Sequence, residues 1–109
     1  MHELAVTQSV VEAVTERTGD ARVAVVRLRV GRLSGLATDS VRFCFELVTE
    51  GTPLEGAELD IDEPEGRGRC RTCGEQVALP DRFLLCPCGS SDVEVRGGRE
   101  LAVASVVMA

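Results

Sequence analysis

The sequence has no lysine, no tryptophan and no tyrosine, and its one histidine is His2. All 12 bases are therefore arginine, set against 18 acids for a net charge of −6. A lysine-free chain rich in Gly, Ala and Val reflects genome composition more than chemistry. The sign of the charge does carry functional weight, because gripping a phosphate backbone requires a basic footprint and this chain is acidic. Three phenylalanines are the only aromatics, too few for a platform on which bases stack. No apolar run approaches the eighteen or so residues that span a bilayer, and no charged-then-apolar leader opens the chain. The expectation is a cytoplasmic protein that touches neither membrane nor nucleic acid. At 109 residues it has room for one domain, or for one small core carrying a metal-held lobe.

The chain does have cysteines, five of them, four in two close pairs: Cys70-Arg71-Thr72-Cys73 and Cys86-Pro87-Cys88. Two thiolates on each of two tight turns supply the four soft ligands of a closed, tetrahedral Zn(II) site. Gly74 and Gly89 follow the pairs, and each can adopt the backbone that turns amides toward sulfur. Disulfides or a redox pair are the competing uses. Both are disfavoured by the absence of a secretory leader and by an unpaired fifth cysteine, Cys44. The second pair is one residue shorter than the usual spacing, so its turn must differ from the first.

In chain order, Val6, Val10, Ala13 and Val14 recur at helical spacing and predict a helix over Glu3 to Thr18, stopped by Gly19. Residues 21–30 alternate as a strand, and 31–36 form a turn-rich connector with no phosphate-loop pattern. Val41, Cys44, Phe45 and Val48 predict a second helix over 39–50, with Phe43 and Leu47 widening its packed face and Cys44 buried in it. Residues 57–62 alternate again. They sit in a stretch from Glu55 to Glu65 with six acids and no base, which reads as a solvated strand face before it reads as a dock for a basic partner. Between the cysteine pairs, 76–79 and 82–85 flank Pro80-Asp81 as a hairpin. The last run, Leu101 to Met108, is apolar on both parities, as a central strand would be.

The fold class expected is α+β: two helices packed on a three-stranded mixed sheet, with an inserted zinc-ribbon lobe. Residues 1–66 and 96–109 form the first domain and 67–95 the second, with glycines at 66, 68, 97 and 98 as hinges.

His2 stands where a terminal amine, the amide nitrogen of residue 2 and an imidazole close two fused chelate rings on one ion. Ni(II) and Cu(II) favour such a tetragonal nitrogen set. A fourth position stays open for Glu3, water, another backbone nitrogen or a partner's ligand. From position alone, His2 reads more simply as a polar residue at a frayed end.

Taken together, these residues resemble the HypA/HybF hydrogenase nickel-incorporation proteins. The resemblance rests on the opening Met1-His2-Glu3, on Val30-Gly31-Arg32-Leu33-Ser34-Gly35 and on Val41-Arg42-Phe43-Cys44-Phe45-Glu46. The cysteine pairs and the exit Cys88-Gly89-Ser90-Ser91-Asp92-Val93-Glu94-Val95 extend it over nearly the whole chain. It implies a nickel metallochaperone for [NiFe]-hydrogenase maturation, not an enzyme. Met1, His2 and Glu3 would hold Ni(II) for transfer, while Cys70, Cys73, Cys86 and Cys88 hold structural Zn(II). The implied partners are a HypB-type GTPase and the [NiFe]-hydrogenase large-subunit precursor, with the protein working as monomer or homodimer and some relatives also serving urease.

Two rivals start from the same cysteines. A zinc-ribbon module for proteins or nucleic acid would carry a basic, aromatic ribbon, whereas between Glu65 and Glu100 six arginines are matched by six acids. A zinc hydrolase needs three ligands and an open coordination site, and a four-cysteine shell leaves none.

Overall fold

The computed structural model describes residues 2–109. Its elements are α1 (Glu3–Thr18), β1 (Val23–Val30), α2 (Thr38–Thr49), β2 (Glu58–Asp62), β3 (Gly66–Cys70), β4 (Gln76–Leu79), β5 (Val93–Gly97) and β6 (Leu101–Met108). They form an α+β fold with two three-stranded sheets, ordered β2-β1-β6 and β4-β3-β5. The chain divides into two compact units, Met1–Arg29 with Leu36–Asp62 and Ala102–Ala109, and Val30–Gly35 with Glu63–Leu101.

In the first unit, β1 and β2 run parallel, in register from Val25 opposite Glu58 to Arg29 opposite Asp62, joined through α2. The ends of β6 bond antiparallel to β1's flanks, where the Ala109 amide donates to the Arg22 carbonyl and the Gly31 amide to the Glu100 carbonyl, so the sheet is mixed. Alternation sends Val26, Leu28 and Val30 inward, where all three are buried. It sends Arg27 and Arg29 outward to Asp60 and Asp62, each pair at 3.6 Å. Those acids of the 55–65 stretch are thus already answered within the sheet.

The two helices pack on each other, and α2 also touches β2. The buried stripe of α1 comprises Glu3, Thr7, Val10, Val11 and Val14, so its first turns bury polar groups. Gly19 closes the helix with its amide on the Thr15 carbonyl. In α2 the buried residues are Val41, Phe45 and Thr49.

Three expectations for the first unit need correction. Phe43 and Leu47 are 63% and 51% exposed, because the packed stripe of α2 is narrow and runs through Val41 and Phe45. Cys44, beside that stripe, is only half-buried. And β6 lies at a sheet edge with most residues exposed, not at the centre. Apolar residues on both parities identify burial on two faces only when strands lie on both sides, and sequence does not state the neighbours.

The second unit departs further from the hairpin expected between the cysteine pairs. Residues 76–79 form β4, but 82–85 are not strand. The partner of β4 is β3, where Gly66 and Gly68 had read as breaks, and β3 also pairs antiparallel with β5. Glycine is required there by close approach. A Cβ on Gly66 would collide with the Leu33 side chain, and one on Gly68 would meet the Glu94 carbonyl oxygen at 2.7 Å. The connector 30–35 belongs to this unit for the same reason. Leu33 packs against the small core of Cys70, Val77, Leu79, Cys86 and Val93, and its amide donates to the Gly98 carbonyl at 2.7 Å. Gly66 and Gly98, read as hinge residues, are packed against each other.

Candidate metal centre

Two knuckles build the centre in the second unit, one at the end of β3 and one before β5. In the first, the Gly74 amide donates to the Cys70 carbonyl at 2.8 Å, and the Cys70 amide to the Glu75 carbonyl at 2.9 Å. In the second, the Gly89 amide donates to the Cys86 carbonyl at 2.8 Å, and the Cys86 amide to the Ser90 carbonyl at 2.9 Å. The same pair of bonds closes both turns, on a ring one residue smaller in the second. Gly74 and Gly89 have φ of +78° and +96°, which a side chain would strain. The shortened pair is thus accommodated by its turn, and the sulfurs still converge.

All four sulfurs lie within 4.8 Å of one another. Cys70 and Cys88 are 3.7 Å apart and Cys73 and Cys86 3.6 Å. Four sulfurs about 2.3 Å from a tetrahedral zinc ion would be separated by about 3.8 Å, so the cage fits that metal. Cys70 and Cys86 are buried, and Cys73 and Cys88 are exposed. Between the knuckles the Thr72 and Ser90 hydroxyls share a hydrogen bond of 2.8 Å. The Arg71 guanidinium holds Asp92 at 2.9 Å, and its amide holds the Asp92 carbonyl.

The thiols do not share their protons equally. A hydrogen bond from the Cys73 amide holds the Cys70 thiol down, to about 6, against the effect of burial. At Cys86 the Cys88 amide acts the same way, but burial and the neighbouring sulfurs prevail and push the thiol up to about 12. Cys73 is raised too, its bond from the Glu75 amide overcome by desolvation and by the sulfurs of Cys70 and Cys88. One sulfur is poised as a thiolate while others keep protons, since clustered negative charges oppose one another until a cation joins them.

The second set of predicted site residues lies in the first unit. Met1 is outside the described residues. His2 is exposed, precedes α1 and bears no side-chain cap bond; its carbonyl accepts from the Val6 amide at 2.9 Å. Glu3 is 8% exposed, and its carboxylate accepts from the Ala37 amide at 3.1 Å. Ala37 is the N-cap residue of α2 and has no capping side chain of its own. A carboxylate from α1 therefore satisfies an amide at the head of α2 and sits at the positive end of that helix. Sequence reasoning missed this role. The signal available was the spacing of Glu3, Thr7, Val10 and Val14, which puts Glu3 on the buried stripe.

The family described as "Hydrogenase/urease nickel incorporation, metallochaperone, hypA" matches residues 1–108. The chain belongs to the HypA family. It is similar to the hydrogenase maturation factor HypA of Nostoc punctiforme, at 44% identity over 97% of this chain and 94% of that one. A second HypA, from Chlorobaculum tepidum, is 45% identical over 96% of each chain. Among solved structures, the solution structure of the Ni metallochaperone HypA from Helicobacter pylori matches 99% of this chain and 97% of its own, with a TM-score of 0.68 and 23% identity. That likeness establishes the HypA fold, the α+β unit with its cysteine lobe. The family is one of metallochaperones and maturation factors, and no helix among the described residues of this chain is long and apolar enough to cross a membrane.

Proposed function

We propose that this HypA protein carries Ni(II) at its N-terminus and delivers it during [NiFe]-hydrogenase maturation, with Zn(II) held structurally by Cys70, Cys73, Cys86 and Cys88. The observation that carries the reading is the family match from residue 1 onward, in a chain whose His2 imidazole is exposed at the head of α1. The Met1 amine, the His2 amide nitrogen and the His2 imidazole would chelate the nickel. The Glu3 amide nitrogen takes the fourth position, because amides in the first turn of a helix have no intrahelical acceptor and the Glu3 carboxylate is engaged at Ala37. Such nitrogen donors suit Ni(II), while the four-sulfur cage suits zinc, so each metal has its own donor type on its own unit. Protons must leave the amine, both amides and the imidazole for nickel to bind, so nickel affinity falls as pH drops. Zinc, when bound, supplies no chemistry and fixes the second unit. The receiving partners would be a HypB-type GTPase and the hydrogenase large-subunit precursor, in the cytoplasm, with urease a second client.

The test is metal content and Ni(II) titration of untagged protein beside His2→Ala. The expected outcome is about one zinc per chain in both, and saturable nickel binding in the unaltered protein alone. Equal nickel binding by both moves the site elsewhere. No nickel binding by either leaves a zinc-stapled interaction module.

A further inference from the structure

The outward face of the second sheet carries cations that the structure leaves unanswered. Arg67 and Arg69 alternate with Gly66, Gly68 and Cys70 along β3, so the latter three are buried and both arginines face solvent. Arg96 lies on the same face from β5. Together with Gln76 and Ala78 of β4, these arginines line a shallow depression of about 390 Å³. Arg96 is held by Glu94 at 2.8 Å. Among the described residues, the Arg67 and Arg69 guanidiniums have no ion pair or hydrogen bond. Elsewhere on the unit Arg32 and Arg71 are paired with Glu65 and Asp92. The Arg67 guanidinium lies along β5, where a Cβ added to Gly97 would sit 3.5 Å from its Nε and Nη2.

We propose that this face binds an acidic, extended segment of a partner protein, with alternate carboxylates on Arg67 and Arg69. Residues two apart on a strand are roughly 6.8 Å apart, so side chains at alternate positions of an extended peptide match β3 in pitch. The guanidinium fork grips a carboxylate through two parallel hydrogen bonds, and the Gln76 amide offers a neutral donor beside it. A nucleic acid is the poorer occupant, since the chain is at −6 and no aromatic lines the depression. The chain's own acidic strand is a poor source, because Asp60 and Asp62 already pair with Arg27 and Arg29. The proposal is independent of nickel at His2.

The experiment uses full-length, zinc-loaded protein and a short fluorescein-labelled peptide alternating Asp and Thr, read by anisotropy at low salt. A second peptide of equal charge has its Asp residues in one block. Expected results are saturable binding of the alternating peptide, weaker binding of the blocked one, and a loss of about tenfold or more in Arg67→Gln/Arg69→Gln. Arg82→Gln, an exposed arginine off this face, serves as the control and should bind as the parent does. Equal zinc content in all variants shows that the lobe is intact. The proposal is overturned if no peptide binds up to about 1 mM, or if the double variant binds like the Arg82→Gln control. It is also overturned if the blocked peptide binds equally, or if single-stranded DNA outcompetes the peptide at this face. Nickel titration of the same variants should be unchanged, so failure here leaves the carrier reading standing.

Discussion

The two units of this chain solve the same problem with different materials. The first buries Val10, Val11, Val14, Val26, Leu28, Val41, Phe45 and Leu54 in an ordinary apolar core. The second has a core of five buried residues, the cysteines Cys70 and Cys86 with Val77, Leu79 and Val93, and Leu33, Leu84 and Val95 are partly buried against it. So small an apolar core offsets little of the chain entropy of a lobe that includes several glycines, and a metal held by the four cysteines would add the cross-links that packing does not supply.

The sharpest break of that contrast is removal of zinc. Chelation, or Cys70→Ser, should unfold the second unit while the helices remain, seen as lost amide dispersion over 63–101 with far-UV helical signal retained. If both halves melt together, the units are not independent. Acid should act in the same direction. Because the Cys73 and Cys86 thiols are raised, the metal-free cluster holds protons at neutral pH that zinc must displace, and each displaced proton weakens affinity by about tenfold per unit fall in pH. A zinc competition series between mildly alkaline and mildly acidic pH measures the slope, and a flat series rules that proton count out. In the first unit, Phe45→Ala should cost about 3–5 kcal/mol in urea unfolding and leave zinc content unchanged. Glu3→Ala should lower the melting temperature by stripping the Ala37 amide of its partner, an effect that His2→Ala should not share. Arg27→Ala should fall below about 1 kcal/mol, since its pair with Asp60 is half in solvent.

How far the sequence could be read follows the same divide. The helix over Glu3–Thr18 and the strand around Val26 and Leu28 were legible because their apolar residues recur at the period of their own backbone. The cysteine cluster was legible because its spacing places sulfurs within reach of one ion. Other features were not legible, because they depend on neighbours that the local sequence does not name. Gly66 and Gly68 look like breaks until Leu33 and Glu94 are seen pressing on them. Leu101 to Met108 looks central until its outer neighbour proves absent from the sheet. Glu3 looks like a first-turn acid or a ligand until the amide 34 residues away is found on its carboxylate.

Each knuckle contributes one sheltered sulfur and one facing water, Cys70 with Cys73 and Cys86 with Cys88. The cage therefore has a closed side and an open side. A chelator or an oxidant meets Cys73 and Cys88 first, while Cys70 and Cys86 stay packed with Val77, Leu79 and Val93. A soft metal bound here would keep two of its ligands, Cys70 and Cys86, seated in the core while the other two stand open to solvent.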